Sequence, residues 1–356
     1  MIDWGLAAQL AELVSALPRP GGSPARDGER PPALAPLLLD AAGESERLVS
    51  GYTGLRPATP LPASEAVERP EWIRANLSGM RGMLDPVTER LGSTLGPARV
   101  PLTAVAGLLL TAEVGVIVGF LAQRVLGQYE VVLLDPDAQP RLLFVEPNLD
   151  DAVRALDADR EELVRWVALH EVTHALQFAG VPWLRDHLAG LIRELTDSLT
   201  VSIDPGRLRR MPSRNDLRGL VEAVREGNLV SFVAGDDQKR QLDRIQATMA
   251  LIEGHAEHVM DAVGADVLPS LPRLRSAMNR RRESQGVIAR LVARLIGLDL
   301  KLRQYVVGKR FCDAVVERGG IEALNRAWAG PENLPTLAEL DDPDAWLART
   351  APSVAA

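Results

Sequence analysis

One cysteine, Cys312, is all that 356 residues contain. No intrachain disulfide can form, and a reducing cytoplasm suits such a chain. Aromatic residues make up 4% of the sequence, and none interleave with basic residues as a base-stacking surface requires. Positive charge is short as well. Lys and Arg number 40 against 48 Asp and Glu, and the net charge of −8 argues against charge-driven binding of nucleic acid. The basic cluster Arg280, Arg281 and Arg282 reads as a solvated helix face. The opening MIDWGLAAQLAELVSALPRPG lacks a basic n-region and reads as an amphipathic helix, not a signal peptide.

Long hydrophobic runs are also scarce. The exception, 104–122, approaches the length of a membrane span. Glu113 near its centre would be costly in lipid, and Gly107, Gly115 and Gly119 suit close helix packing, so a buried central helix is expected and no membrane association.

Around these gaps the chain reads as mainly α with a small β hairpin or sheet, an α+β protein. Residues 18–35 are rich in Pro, Gly and Arg and 56–70 are rich in Pro, and both read as loops. Two β-prone runs, 131–134 and 142–145, flank a Pro/Asp turn and predict a hairpin. A helix then starts at Asp159 as N-cap, with Glu162 placed to complete a capping box, and ends near Phe178 before Gly180 and Pro182. A second long helix is predicted over 237–263, closed by Gly264, with an apolar stripe through Leu242, Ile245, Met249, Ile252, Ala256, Val259 and Val263. Further helices are predicted near 285–297 and 299–318. Residues 1–70 form an N-terminal helix with Pro/Gly-rich loops, 71–356 a single largely helical domain, and 184–235 an insertion between the two long helices.

Histidine is scarce, five in all, yet two of them stand four apart in ALHEVTHALQF. On a helix, positions i and i+4 share a face, so His170 and His174 can turn both imidazoles to one ion, with Glu171 within reach of its water. This is the H-E-x-x-H pattern of zinc hydrolases. With three protein ligands, zinc keeps one position for water, from which Glu171 as general base would take a proton. A third histidine at the spacing of the metzincins is missing, because position 180 is Gly180. His187 follows Pro182 with no special spacing and reads as a surface residue.

The third ligand is sought in IEGHAEHVMDAVG. Glu253 and Glu257 share one face of that helix, while His255 lies about 200° around from Glu253. Glu253-Gly254-His255-Ala256 is similar to the E-G-x-A element of gluzincin aminopeptidases, whose glutamate binds zinc, and the glycine would let two helices approach closely. Glu257 with Asp261 offers a second reading, E-x-x-x-D, in which the aspartate orients a ligand histidine. Glu253 is ranked first, Glu257 second, and His255 or His258 third. For stabilising an oxyanion, the candidate is Tyr305, in GLDLKLRQYVVGKRF. A tyrosine packed with its hydroxyl at the surface is the plainer alternative.

HEVTHALQF, followed by EGHAEHVMDAVG, GLDLKLRQYVVGKRFCDAVVERGG and NRAWAGPENLPT, resembles the zincin-like metallopeptidases of the type 2 zinicin family. This family is common in actinobacteria and occurs in Chloroflexi, and some members carry a label of association with deazaflavin-coenzyme biosynthesis. Asp3-Trp4, Tyr52-Thr53-Gly54-Leu55, RPEWIRANL and LGQYE fit it too, so the resemblance covers essentially the whole chain. It implies a zincin core with additional helices, one zinc ion per chain, and His170, Glu171 and His174 in the usual roles. The expected function is a zinc-dependent, gluzincin-type peptidase acting on a peptide or protein substrate. The alternative is a zincin-fold binding or regulatory protein that keeps zinc without significant turnover.

Overall fold

The computed structural model describes residues 2–18, 33–95, 100–135, 137–201, 236–283 and 298–351. They fall into two compact units, Met1–Gly180 with Val259–Ser284, and Val181–His258 with Gln285–Ala356.

The first unit is organised by a run of four apolar residues, Leu142 to Val145. They belong to β3 (Arg141–Val145), the middle strand of a three-stranded sheet. β1 (Ser64–Val67) pairs parallel to β3 on one side, and β2 (Gly127–Glu130) antiparallel on the other. Successive side chains of a strand point to opposite faces, so an unbroken apolar run requires both faces covered. Leu142 and Phe144 enter one core, and Leu143 and Val145 the other. The first core is shared with α2 (Leu34–Thr53), α5 (Glu146–Leu156) and α6 (Arg160–Gly180). The second holds side chains of α1 (Trp4–Ala16), α3 (Arg69–Leu95) and α4 (Val100–Ala122).

The predicted hairpin is present with a shifted first strand: β2 covers 127–130, and 131–134 are loop and turn. β1 lies in a stretch expected to be loop. Pairing to β3, not any pattern in Ser-Glu-Ala-Val, makes it a strand. α4, expected as a buried central helix, is partly buried: Leu108 is 60% and Leu109 65% exposed. Its other side lies on α1. A Cβ added at Gly115 or Gly119 would stand 2.8 Å from Ala7 O or 2.5 Å from Ala11 O, so these glycines let the two backbones touch. Gln123 closes that contact by donating to the carbonyls of Val14, Ser15 and Leu17 at the end of α1. No helix among the described residues is long and apolar enough to cross a membrane.

α8 (Asp236–Val267) is one unbroken helix; it contributes residues up to His258 to the second unit and Val259 onward to the first. Gly264 does not end it, because the helix runs three residues beyond. α9 (Leu271–Glu283) follows in the first unit. The second unit also contains α7 (Leu184–Val201), α10 (Leu298–Asn325) and the short α11 (Leu337–Asp341) and α12 (Pro343–Arg349). Here α8 and α10 meet glycine on glycine: a Cβ at Gly254 would stand 2.2 Å from Gly308 C, and one at Gly308 would stand 1.9 Å from Ala250 O. Most of the predicted insertion, 202–235, and the predicted helix 285–297 lie outside the described residues.

Candidate metal centre

α6 is packed on almost every side, yet it carries His170, Glu171, Thr173, His174 and Gln177 within eight residues. Its start is fixed locally, since Asp159 accepts a hydrogen bond from Glu162 N at 2.9 Å. The expected capping box is only half made. Glu162 instead turns its carboxylate to Ser270, accepting from both its N–H and its hydroxyl.

One turn apart on this helix, the His170 and His174 rings stand edge to face, and their Nε2 atoms are 3.2 Å apart. Two nitrogens on a tetrahedral zinc ion, each ~2.0–2.1 Å from it, are separated by about 3.3 Å. The pair therefore has the spacing of two ligands to one ion. Each ring is held from behind through Nδ1: His174 by Gln177 Oε1 at 2.9 Å, His170 by Met260 Sδ at 3.1 Å. Gln177 and Met260 are both fully buried. The sequence reading passed over both, although Gln177 stands at i+3 from His174, a spacing that marks a same-face neighbour.

Glu171 is fixed by the sheet. Val145 N donates to Leu126 O at 2.9 Å. In an antiparallel pair the bonded residues alternate, so Gln128 and Glu130 also face β3, while Gly127 and Tyr129 turn their backbone groups to the open edge. Tyr129 N–H uses that freedom and donates to Glu171 Oε2 at 2.8 Å. At Gly127 an added Cβ would meet Glu171 Cγ at 2.7 Å and Val167 Cγ1 at 2.8 Å. Only glycine lets β2 come this close to the carboxylate. On the opposite face of β2, Gln128 accepts from Trp72 Nε1 and donates to Asn76, which ties the strand to α3. Glu130 is buried there, and burial raises its carboxyl pKa against the opposing charge of Arg141. Phe178, on the same helix as Glu171, leans against the Tyr129 ring with centroids 6.0 Å apart.

Glu253 stands on α8, two turns before Met260 and on the same face of that continuous helix. Among the described residues, one group could hold a metal ion: His170, His174 and Glu253, with one ligand atom from each lying within 4.8 Å of one another. Two imidazoles and a carboxylate leave a position open, as catalytic zinc sites do. Glu257, His255 and His258 are not in that group. Asp261 pairs with Arg275 at 2.6 Å, where the alternative E-x-x-x-D reading had it orienting a histidine.

The other histidines have packing partners. His255 is fully buried and meets Trp328 edge to face at 5.2 Å. His258 Nδ1 is 2.8 Å from Asp313, which also bonds Lys309. Burial works to raise the Asp313 carboxyl, but hydrogen bonds from His258 and Lys309 hold it below the ordinary value. His187, expected at the surface, is half-buried against Trp183, and burial lowers its pKa. Tyr305 lies on α10, and its side chain is outside the described residues.

A profile of the zincin-like metallopeptidases matches residues 2–347. A crystal structure from Chloroflexus aurantiacus, described as a candidate hydrolase with a novel fold, is 31% identical, aligns over 98% of both chains and superposes with a TM-score of 0.69. No curated protein matches.

Proposed function

This chain belongs to the zincin-like metallopeptidase family, and on that footing we propose that it is a zinc-dependent peptidase, with His170, His174 and Glu253 holding the ion and Glu171 serving as general base. The observation that carries the reading is the convergence of two imidazole nitrogens and a carboxylate oxygen within 4.8 Å. A bound zinc ion supplies Lewis acidity, polarising a carbonyl and making water acidic enough to lose a proton near neutral pH.

The residues of the chain do the rest. Glu171 Oε2 is engaged by Tyr129 N–H, which orients the carboxylate and leaves its other oxygen to accept the proton of an attacking water. The same carboxylate then returns that proton to the leaving nitrogen, so the base is regenerated.

Purified protein is expected to contain about one zinc ion per chain. It should cleave members of a peptide library, lose that activity to a chelator and regain it with zinc. Glu253→Ala should lower zinc content and Glu257→Ala should not. A protein that takes up no zinc, or one whose zinc depends on Glu257, overturns the ligand set.

A further inference from the structure

A neutral imidazole carries one proton, and the acceptor facing one ring nitrogen decides which of the two is left with a lone pair. His174 and His170 are neighbours of the same type on the same helix, but the groups behind them differ in kind. Behind His174 stands an amide oxygen at 2.9 Å, on a buried side chain one turn along the same helix. Behind His170 stands a thioether sulfur at 3.1 Å, a weak acceptor. Neither is the carboxylate or backbone carbonyl that usually backs a metal-bound histidine.

We infer that Gln177 is a positioning residue for this centre: its amide oxygen keeps Nδ1 of His174 protonated and so leaves Nε2 as the ligand nitrogen, while Met260 does the same for His170 only weakly. The inference rests on the metal reading proposed above. The amide oxygen is a stronger acceptor than the thioether sulfur, so the Gln177 contact fixes the His174 tautomer more firmly than the Met260 contact fixes that of His170. Gln177 is fully buried and one helical turn from His174, which keeps its amide beside the ring.

The test uses the full chain labelled with nitrogen-15 in histidine; five residues give a resolvable set. In metal-free wild-type protein, two-bond proton–nitrogen spectra are expected to show His174 protonated at Nδ1. Zinc affinity is then measured by competition with a chromogenic chelator. Gln177→Leu is expected to weaken it about 10- to 100-fold. Gln177→Glu, which restores an acceptor oxygen, should recover it, and Met260→Leu should cost less than Gln177→Leu. A His174 proton on Nε2 in the metal-free protein, or unchanged zinc affinity in a folded Gln177→Leu chain, overturns the inference. If Gln177→Leu fails to fold, the wild-type tautomer decides alone. Wild-type protein without zinc affinity overturns the metal reading instead, and the tautomer is still read independently of it.

Discussion

α4 and α6 share a unit and are of similar length, 23 and 21 residues, and neither shows a clean apolar stripe. The reasons are opposite. α4 is apolar on nearly all sides although only one side is covered, and glycines draw that side onto α1. α6 is covered on nearly all sides although polar groups interrupt it. Burying a polar group costs free energy unless it is hydrogen-bonded. The polar residues of α6 meet that condition: Thr173 donates to Leu169 O, Gln177 faces His174, and Glu171 accepts from β2. A missing stripe thus has two meanings, loose coverage in α4 and chemistry inside a core in α6.

If that contrast is right, changes in α6 remove activity and spare the fold, and changes in α4 do the reverse. The largest effect is expected from Glu171→Gln, which should lower kcat/KM by about 10²- to 10⁴-fold. Zinc content and melting temperature should stay level, since an amide oxygen can still accept from Tyr129. A fall in both would show that the carboxylate also holds the fold, and the contrast would collapse. Gly127→Ala comes next and should move both properties, because its new methyl enters the space of Glu171 Cγ and Val167 Cγ1. About tenfold or more in activity and ~1–3 kcal/mol in stability are expected, read by kinetics and urea unfolding. Gly119→Val on α4 should cost ~1–3 kcal/mol through the clash with Ala11, with zinc stoichiometry unchanged. Leu109→Gln, on the open side of α4, should change stability by less than ~0.5 kcal/mol. A larger loss would mean that this face is covered in solution.

The sequence made the chemistry of α6 readable because helical spacing alone puts His170 and His174 on one face, and because five histidines leave few alternatives. Asp159 as a cap and the hairpin ending in β3 were readable for similar local reasons. What escaped depends on partners distant in sequence. Ser-Glu-Ala-Val became a strand because β3 accepts it, Glu162 left its box for Ser270, and Gly264 stayed inside α8. Met260 was hidden behind 90 residues of separation from His170, and a methionine in an apolar helix carries no sign that its sulfur will face a histidine. Gly254 was expected to let the two predicted metal-binding helices approach closely; the close approach it makes is to Gly308 on α10, which no spacing rule names.

The register of β2 on β3 has a meaning beyond pairing. Backbone groups along an edge strand alternate like even and odd numbers, and Tyr129 has the parity that turns its N–H outward to Glu171. A slip of one residue would turn the Tyr129 N–H toward β3 and bring Leu126 or Gln128 into the place that only a glycine fits at 127. A slip of two would keep the parity and still misplace the glycine. The strand is therefore a lock with one working position, and a chain that folded with the wrong pairing would keep its helix and both histidines while losing the anchor of Glu171.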